Sequence, residues 1–555
     1  MGEHPGILQR QAGRVRLTYL SAMILLPLLL QTAVVSPLAI RPDTARPHHD
    51  ALHYDVTLVL GDSGRHVLGE VQTQWRLRSD QPIEVQLDST MRVIRVLVNG
   101  RENTRLARTP WGRAGELVVV PHEGKAGDSL STRIRYRGDV VRGLAFRGSK
   151  AQGLAVFGDN WPDRAHGWLP VEDAPSDKAT VSFHIQAPAA YQVIANGTLQ
   201  GVDTLAYGHL VWNYRMDRPI PVYTMVFGVG RFSVARLPDA ACEVRCVPQT
   251  LWTAPEDSTY AATGPFRRVN AIVDFYSRLI GPFPYPDLAH VEALTPFGGM
   301  ENATAIFYND SLYGARKLPE ETVAHEIAHQ WFGDAVTEDD WHHLWLSEGF
   351  ATYLAAMWAE HADGAAALAA EMRRAAERYF KSPWAERPVL DPSVRNLDSL
   401  LNENNYQKGS WVLHQLRGLI GDSAFVAGLR AYYTTYKDSS AVSADLAQVM
   451  SRVAGRDLDW YFRQALTQAG YPMLDVRWRR AGGKLTVELV QTQKPEWGTY
   501  RMPGLELAID GKVVRIDVEG RETRAVFDGF PRTPKAVVVD PGGWWLARSS
   551  VTRAR

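Results

Sequence analysis

The sequence predicts a multidomain α+β protein: a large antiparallel β domain, a mostly helical domain, and a small β domain at the C-terminal end. Three observations predict it. The chain has 555 residues, 45% hydrophobic and 22% charged, enough for several buried cores at roughly 100–200 residues per domain. Apolar and polar residues alternate at about period two from about residue 51 to 234, and again after residue 470. Between these stretches the apolar period is that of helices.

The first element is a basic stretch (Arg10, Arg14, Arg16) followed by an apolar run over residues 20–35, interrupted by Pro27. This reads residues 1–40 as a signal peptide or an N-terminal anchor. Pro37 would adjoin a cut after Ser36, and for a cut after Ala39 it takes the place where a small residue is wanted, so an uncleaved membrane anchor stays open. Either way the catalytic bulk is expected to be exported, periplasmic or extracellular.

Residues 50–235 form the β domain. Segments 54–60, 83–87 and 181–185 alternate, and Asn99-Gly100, Asn196-Gly197 and residues 61–64 supply turns. Residues 236–470 form the helical domain, with helices expected over 266–280, 319–332, 347–360, 365–380, 409–420, 423–436, 443–453 and 458–469. Residues 471–555 return to strands at 474–478, 485–489 and 536–539.

Charge and cysteine content exclude several functions. Lys+Arg (61) equals Asp+Glu (61), so no global field draws nucleic acid. Cys242 and Cys246 are the only cysteines, which excludes a cysteine zinc finger, an iron–sulfur cluster and a disulfide scaffold. A bridge between them needs a tight turn, because extended residues four apart are separated by about 13 Å.

The strongest chemical signal is His325-Glu326-Ile327-Ala328-His329. Four helical residues advance by about 400°, so both imidazoles leave one face and can bind one zinc ion. Glu326, about 100° around, can serve as general base without ligating. A catalytic zinc commonly takes a third protein ligand. Glu348, 19 residues after His329 on a second expected helix, completes a His₂Glu set. His342 and His343 are rival ligands, but they share a charged loop and no ligand spacing, and they read as structural or surface residues.

With Pro296-Phe-Gly-Gly-Met-Glu301-Asn302 and Tyr406-Gln-Lys-Gly409, these residues resemble the aminopeptidase N family of zinc metallopeptidases, which also contains the leukotriene-processing hydrolase. The resemblance covers roughly residues 50–480. It implies a β domain on a thermolysin-like catalytic domain followed by a β-sandwich, without the large C-terminal helical domain of many relatives. It implies that Glu301 binds the substrate α-amine and that Tyr406 stabilises the oxyanion. Gly298, Gly299 and Asn302 belong to the same substrate-binding motif, and Met300, with residues near Phe297, becomes a candidate for the first side-chain pocket. A charged ammonium–carboxylate hydrogen bond suits the first role. A phenol aimed at developing negative charge suits the second. Relatives carry a Gln or Glu in the β domain that also meets the amine; no Gln aligns in residues 157–166, so Asp159 or Asn160 is expected to substitute.

The expected reaction is hydrolysis of the first peptide bond of substrates with a free N-terminal amine, by zinc-activated water with Glu326 as base. The rivals are an epoxide hydrolase on the same zinc, an endopeptidase, and a non-catalytic peptide-binding protein. An amine-binding Glu301 conflicts with an endopeptidase, and the retention of Glu326, Glu301 and Tyr406 together conflicts with a pure binding protein.

Overall fold

An eight-stranded sheet dominates the N-terminal domain, running Thr198–Thr204, His209–Pro221, Lys178–Pro188, His49–Leu60, His66–Leu77, Ser129–Asp139, Arg92–Val98, Arg101–Glu102. The structure is a computed structural model describing residues 36–41, 49–61, 65–111, 115–148 and 153–554. Alternation does what the sequence implies: Tyr54, Val56 and Leu58 are buried while Thr57 is exposed. One pairing departs from the antiparallel expectation. His49–Leu60 and Lys178–Pro188 run parallel, which the long intervening chain permits and a hairpin would not.

The helical domain contains an unexpected five-stranded sheet. Its strands are β1 (Ser233–Ala240), β2 (Val247–Thr253), β3 (Leu288–Ala293), β4 (Gly299–Met300) and β5 (Ala305–Asn309), in the order β1-β2-β3-β5-β4. The β2–β3 and β3–β5 pairs are parallel, and every residue of β3 is buried. A strand covered on both faces loses the period-two pattern, which is why a helical reading overlooked it.

The expected helices are present with shifted ends: α1 (Val269–Leu279), α2 (Glu320–His329), α3 (Trp345–Asp363), α4 (Ala365–Lys381), α5 (Gly409–Ile420), α6 (Asp422–Tyr436), α7 (Ser443–Ala454) and α8 (Asp459–Thr467). A π-helical turn, Asn404–Lys408, runs into α5. The last domain is a sandwich, because its four-stranded and three-stranded sheets bury Val476, Val487 and Leu507 in one core separate from the main core.

The turn that the cysteines require is present. Ala241 has φ 55°, the N–H groups of Val244 and Arg245 both donate to its carbonyl, and Cys242 and Cys246 are bonded. The apolar run 20–35, and with it the choice between signal peptide and anchor, lies outside the described residues. Among the described helices none is long and apolar enough to cross a membrane. Residues 36–40, read from sequence as the end of the leader, dock on the helical domain. Leu38 is fully buried, and the Ile40 carbonyl lies 2.6 Å from His343 Nε2.

Candidate active site

Helix α2 starts behind Pro319 with Glu320 and Glu321 in its first turn, where acidic side chains complement the helix dipole. One turn apart, His325 and His329 bring their Nε2 atoms to 3.1 Å. Helix α3 delivers Glu348 from its first turn. Its Oε2 lies 3.1 Å from His325 Nε2 and 3.4 Å from His329 Nε2.

This triangle fits a metal. A tetrahedral ion with bonds of about 2.0–2.1 Å has ligand-to-ligand edges of about 3.3–3.4 Å. His329 Nδ1 lies 2.9 Å from Ser347 Oγ and 3.2 Å from the Phe332 carbonyl. A proton on Nδ1 can donate to those oxygens and leaves Nε2 with its lone pair toward His325 and Glu348. Two facing ring nitrogens and a carboxylate are a donor set for zinc. Both rival histidines are occupied elsewhere, His342 by Asp340 and the Val394 carbonyl, His343 by Ser443 and the Ile40 carbonyl.

Three carboxylates share the site. Glu301, Glu326 and His329 place ligating atoms within 4.8 Å of one another. Burial pushes the Glu326 carboxyl well above its usual range, and Glu301 and Glu348 add to this against His329. Burial also raises Glu301. Burial opposes ionisation of Glu348 as well, but the facing His329 and His325 rings hold it well below the usual carboxylate range. The site therefore suits a divalent cation plus a substrate ammonium.

Gly299 on β4 makes this crowding possible. A Cβ there would come to 2.5 Å from the Glu326 carboxylate, so only glycine lets the strand approach Glu326 without displacing it. A Cβ on Gly298 would meet Thr322 Cγ2 at 3.9 Å, an ordinary contact. Tyr223 lies close enough to Glu301 to favour its ionised form, with its hydroxyl donating to the Gly333 carbonyl at 3.4 Å, while Gln330 Nε2 donates to the Glu301 backbone carbonyl at 2.8 Å.

Tyr406 stands on the π-helical turn, stacked on His325 with centroids 6.0 Å apart, and donates to Glu348 Oε1 at 2.7 Å. The rest of its motif explains its position. A Cβ on Gly409 would lie 2.9 Å from Gly349 Cα, so the two glycines let α5 and α3 meet backbone to backbone. Lys408 is buried and donates to the Gln468 carbonyl at 2.7 Å.

These groups line one cavity of about 590 Å³, with Glu301, Glu326 and Glu348 among its lining residues. Met300, Gly298 and Gly299 line it as expected, with Phe297. Asn302 does not; it is buried behind the strand. Asp159 and Asn160 are also absent from the lining. Asp159 pairs with Arg164 at 2.8 Å, and Asn160 bonds the Met225 carbonyl and Trp168. Their polar atoms are consumed within the β domain, and the neighbour that reaches the cavity is Trp161. Sequence reasoning missed Trp161, Tyr223, Ser347 and Arg378. Of these only Ser347, beside Glu348, carried a positional signal.

Residues 50–224 match the family model described as Peptidase M1 N-terminal domain, and residues 267–464 the one described as Peptidase family M1 domain. Aminopeptidase N of Streptomyces lividans is 26% identical over 437 residues, 69% of this chain and 49% of its own. Aminopeptidase RNPEPL1 of Homo sapiens is 30% identical over 293 residues, 50% of this chain and 38% of its own. This chain thus spans about half or less of the length of these curated relatives. The solved M1 zinc metallopeptidase of Deinococcus radiodurans is 25% identical with a TM-score of 0.65, covering 77% of this chain and 95% of that one.

Proposed function

The chain belongs to peptidase family M1, and from that premise we propose that it is a zinc-dependent aminopeptidase releasing the first residue of peptides with a free α-amine. One observation carries the reading. Glu301 has a carboxylate oxygen within 4.8 Å of those of Glu326 and of a ring nitrogen of His329. The nitrogen and carbonyl carbon of a single residue lie about 2.5 Å apart across Cα. With its ammonium on Glu301, a peptide has room for one residue before the base and the metal ligands, so the bond presented is the first.

His325, His329 and Glu348 would hold the zinc ion. Bound there, zinc supplies Lewis acidity, polarising the scissile carbonyl and making water more acidic. Glu301 fixes the substrate ammonium by a charge-assisted hydrogen bond and sets the register. Glu326 takes the proton of the attacking water and delivers it to the departing amine; the burial that raises its affinity for protons suits a base that must hold one between two steps. Tyr406 Oη turns its donor from Glu348 to the carbonyl oxygen as negative charge develops there.

The charged cavity floor does not favour the epoxide-hydrolase reading, which needs a long apolar cleft. Export remains our reading of the leader, and it is supported by the Cys242–Cys246 disulfide, since such bonds persist in oxidising compartments.

The test compares aminoacyl-arylamides with their N-acetylated forms, with and without a chelator. Chelator-sensitive cleavage of the free-amine substrates alone is expected. Equal cleavage of blocked substrates would replace this reading with an endopeptidase.

A further inference from the structure

Among the residues lining the cavity, Arg378 is the one lysine or arginine. The other charged groups there are the two histidine ligands and five glutamates: Glu301, Glu326 and Glu348 in the site described above, plus Glu321 and Glu403. Arg378 is exposed to the cavity, and among the described residues its guanidinium has no ion pair or hydrogen bond. Its neighbours differ. Arg374, one turn earlier on α4, pairs with Glu371, and Glu403 accepts from Ser382 Oγ at 2.8 Å.

The helix that carries Arg378 is fixed by packing. Met372, Ala375, Ala376 and Tyr379 on α4 are buried, Trp411 Nε1 donates to the Met372 carbonyl at 3.1 Å, and the Lys408 ammonium lies 5.7 Å from the Tyr379 ring centroid. The same α5 and π-helical segment that places Tyr406 therefore braces the helix carrying Arg378. A guanidinium on a rigid element, facing a cavity and left without an internal partner, is suited to planar, bidentate capture of a carboxylate.

We propose that Arg378 binds a substrate carboxylate downstream of the scissile bond, so that the site favours short peptides with an anionic far end. The proposal rests on the aminopeptidase reading, in which Glu301 holds the ammonium. The cavity would then recognise both charges of a small zwitterionic peptide, cation at the glutamate and anion at the arginine. The carboxylate has two sources, the free C-terminus of a di- or tripeptide or an Asp or Glu side chain, and the same chemistry serves both.

The test uses the full zinc-loaded chain and two substrate pairs: a neutral tripeptide as free acid and as C-terminal amide, and a tripeptide amide with Glu or Gln at its third position. In the unmodified protein the anionic member of at least one pair should have kcat/KM about 10- to 100-fold above its neutral partner, the worth of one charged hydrogen-bonded contact. The pair that shows the preference identifies the source. In Arg378→Ala that ratio should fall toward one, with the loss mainly in KM, and Arg378→Lys should restore part of it. Zinc content and thermal melting of each variant establish that it is folded. Ratios near one in the unmodified protein, or a ratio unchanged in Arg378→Ala, overturn the proposal. Failure to cleave any free-amine arylamide, which carries no downstream carboxylate, would instead remove the aminopeptidase reading itself.

Discussion

Tyr406 Oη donates to Glu348 Oε1 across 2.7 Å, so the group proposed for the oxyanion is tethered to the carboxylate proposed as third metal ligand. The bond holds the phenol at the metal face while no substrate oxygen competes for its proton. It also links two segments 58 residues apart in sequence. Tyr406→Phe keeps the ring stacked on His325 and removes the donor. We expect kcat to fall about 10²–10³-fold, the usual cost of losing one oxyanion donor, at zinc concentrations that saturate the site. Zinc content by atomic absorption separates this from metal loss. A full-strength kcat in the phenylalanine variant would remove Tyr406 from the chemistry.

Glu326→Gln tests the base. The amide is nearly isosteric and leaves both histidines and Glu348 untouched. Turnover should drop by about 10²–10⁴-fold, the range for general acid–base groups, while one zinc remains per chain. Retained turnover would mean that another group moves the proton.

The residues proposed as metal ligands and base were legible as a cluster because their geometry is local. Two histidines four apart on a helix must share a face, and Glu348 needed only a second helix close by. The cavity walls were not legible in the same way. Trp161 comes from the β domain and Arg378 from α4, so no spacing in the sequence relates them to His325. Asp159 illustrates the opposite error. It lies next to a residue that does reach the cavity, but its carboxylate is satisfied by Arg164, a partner that periodicity cannot reveal. The five-stranded sheet was hidden for a third reason, since strands buried on both faces do not alternate.

Glu301→Gln should uncouple recognition from chemistry. The amide still accepts a hydrogen bond but loses the charge that pairs with the ammonium. For free-amine arylamides we expect KM to rise and kcat/KM to fall by about 10- to 100-fold, with cleavage remaining measurable. The preference for free over N-acetylated substrate should shrink in step. An unchanged preference would place the amine site elsewhere.

Gly409→Ala tests the helix contact that carries the tyrosine. A Cβ at 409 would lie 2.9 Å from Gly349 Cα, a distance that backbone cannot relieve by changing a rotamer. Separating α5 from α3 should cost about 1–3 kcal/mol by overpacking and draw Tyr406 from Glu348. The expected signature is a lower denaturation midpoint together with a reduced kcat. A variant as stable and active as the parent would show that the two helices have slack.

Lys408, the third member of the same motif, makes a prediction about pH. Burial pushes its ammonium down to about 7, whereas an unfolded lysine titrates near 10.4. Between those values the unfolded chain binds a proton that the folded chain does not. Stability therefore rises with pH across this window, by up to about 1.4 kcal/mol per pH unit for one site. Below pH about 7 both states are protonated and the burial cost is fully present; above the unfolded value it is gone. Lys178, also lowered to about 7 by burial, adds a second site with the same sign. Lys408→Met should lower stability overall, because the Gln468 and Gly470 carbonyls lose their donor. The slope is the diagnostic quantity: from pH 7 to 10 the unfolding free energy of the variant should rise less steeply than that of the parent, by close to one proton. Urea denaturation at four pH values across that window measures it, and equal slopes would mean that Lys408 stays charged in the folded protein.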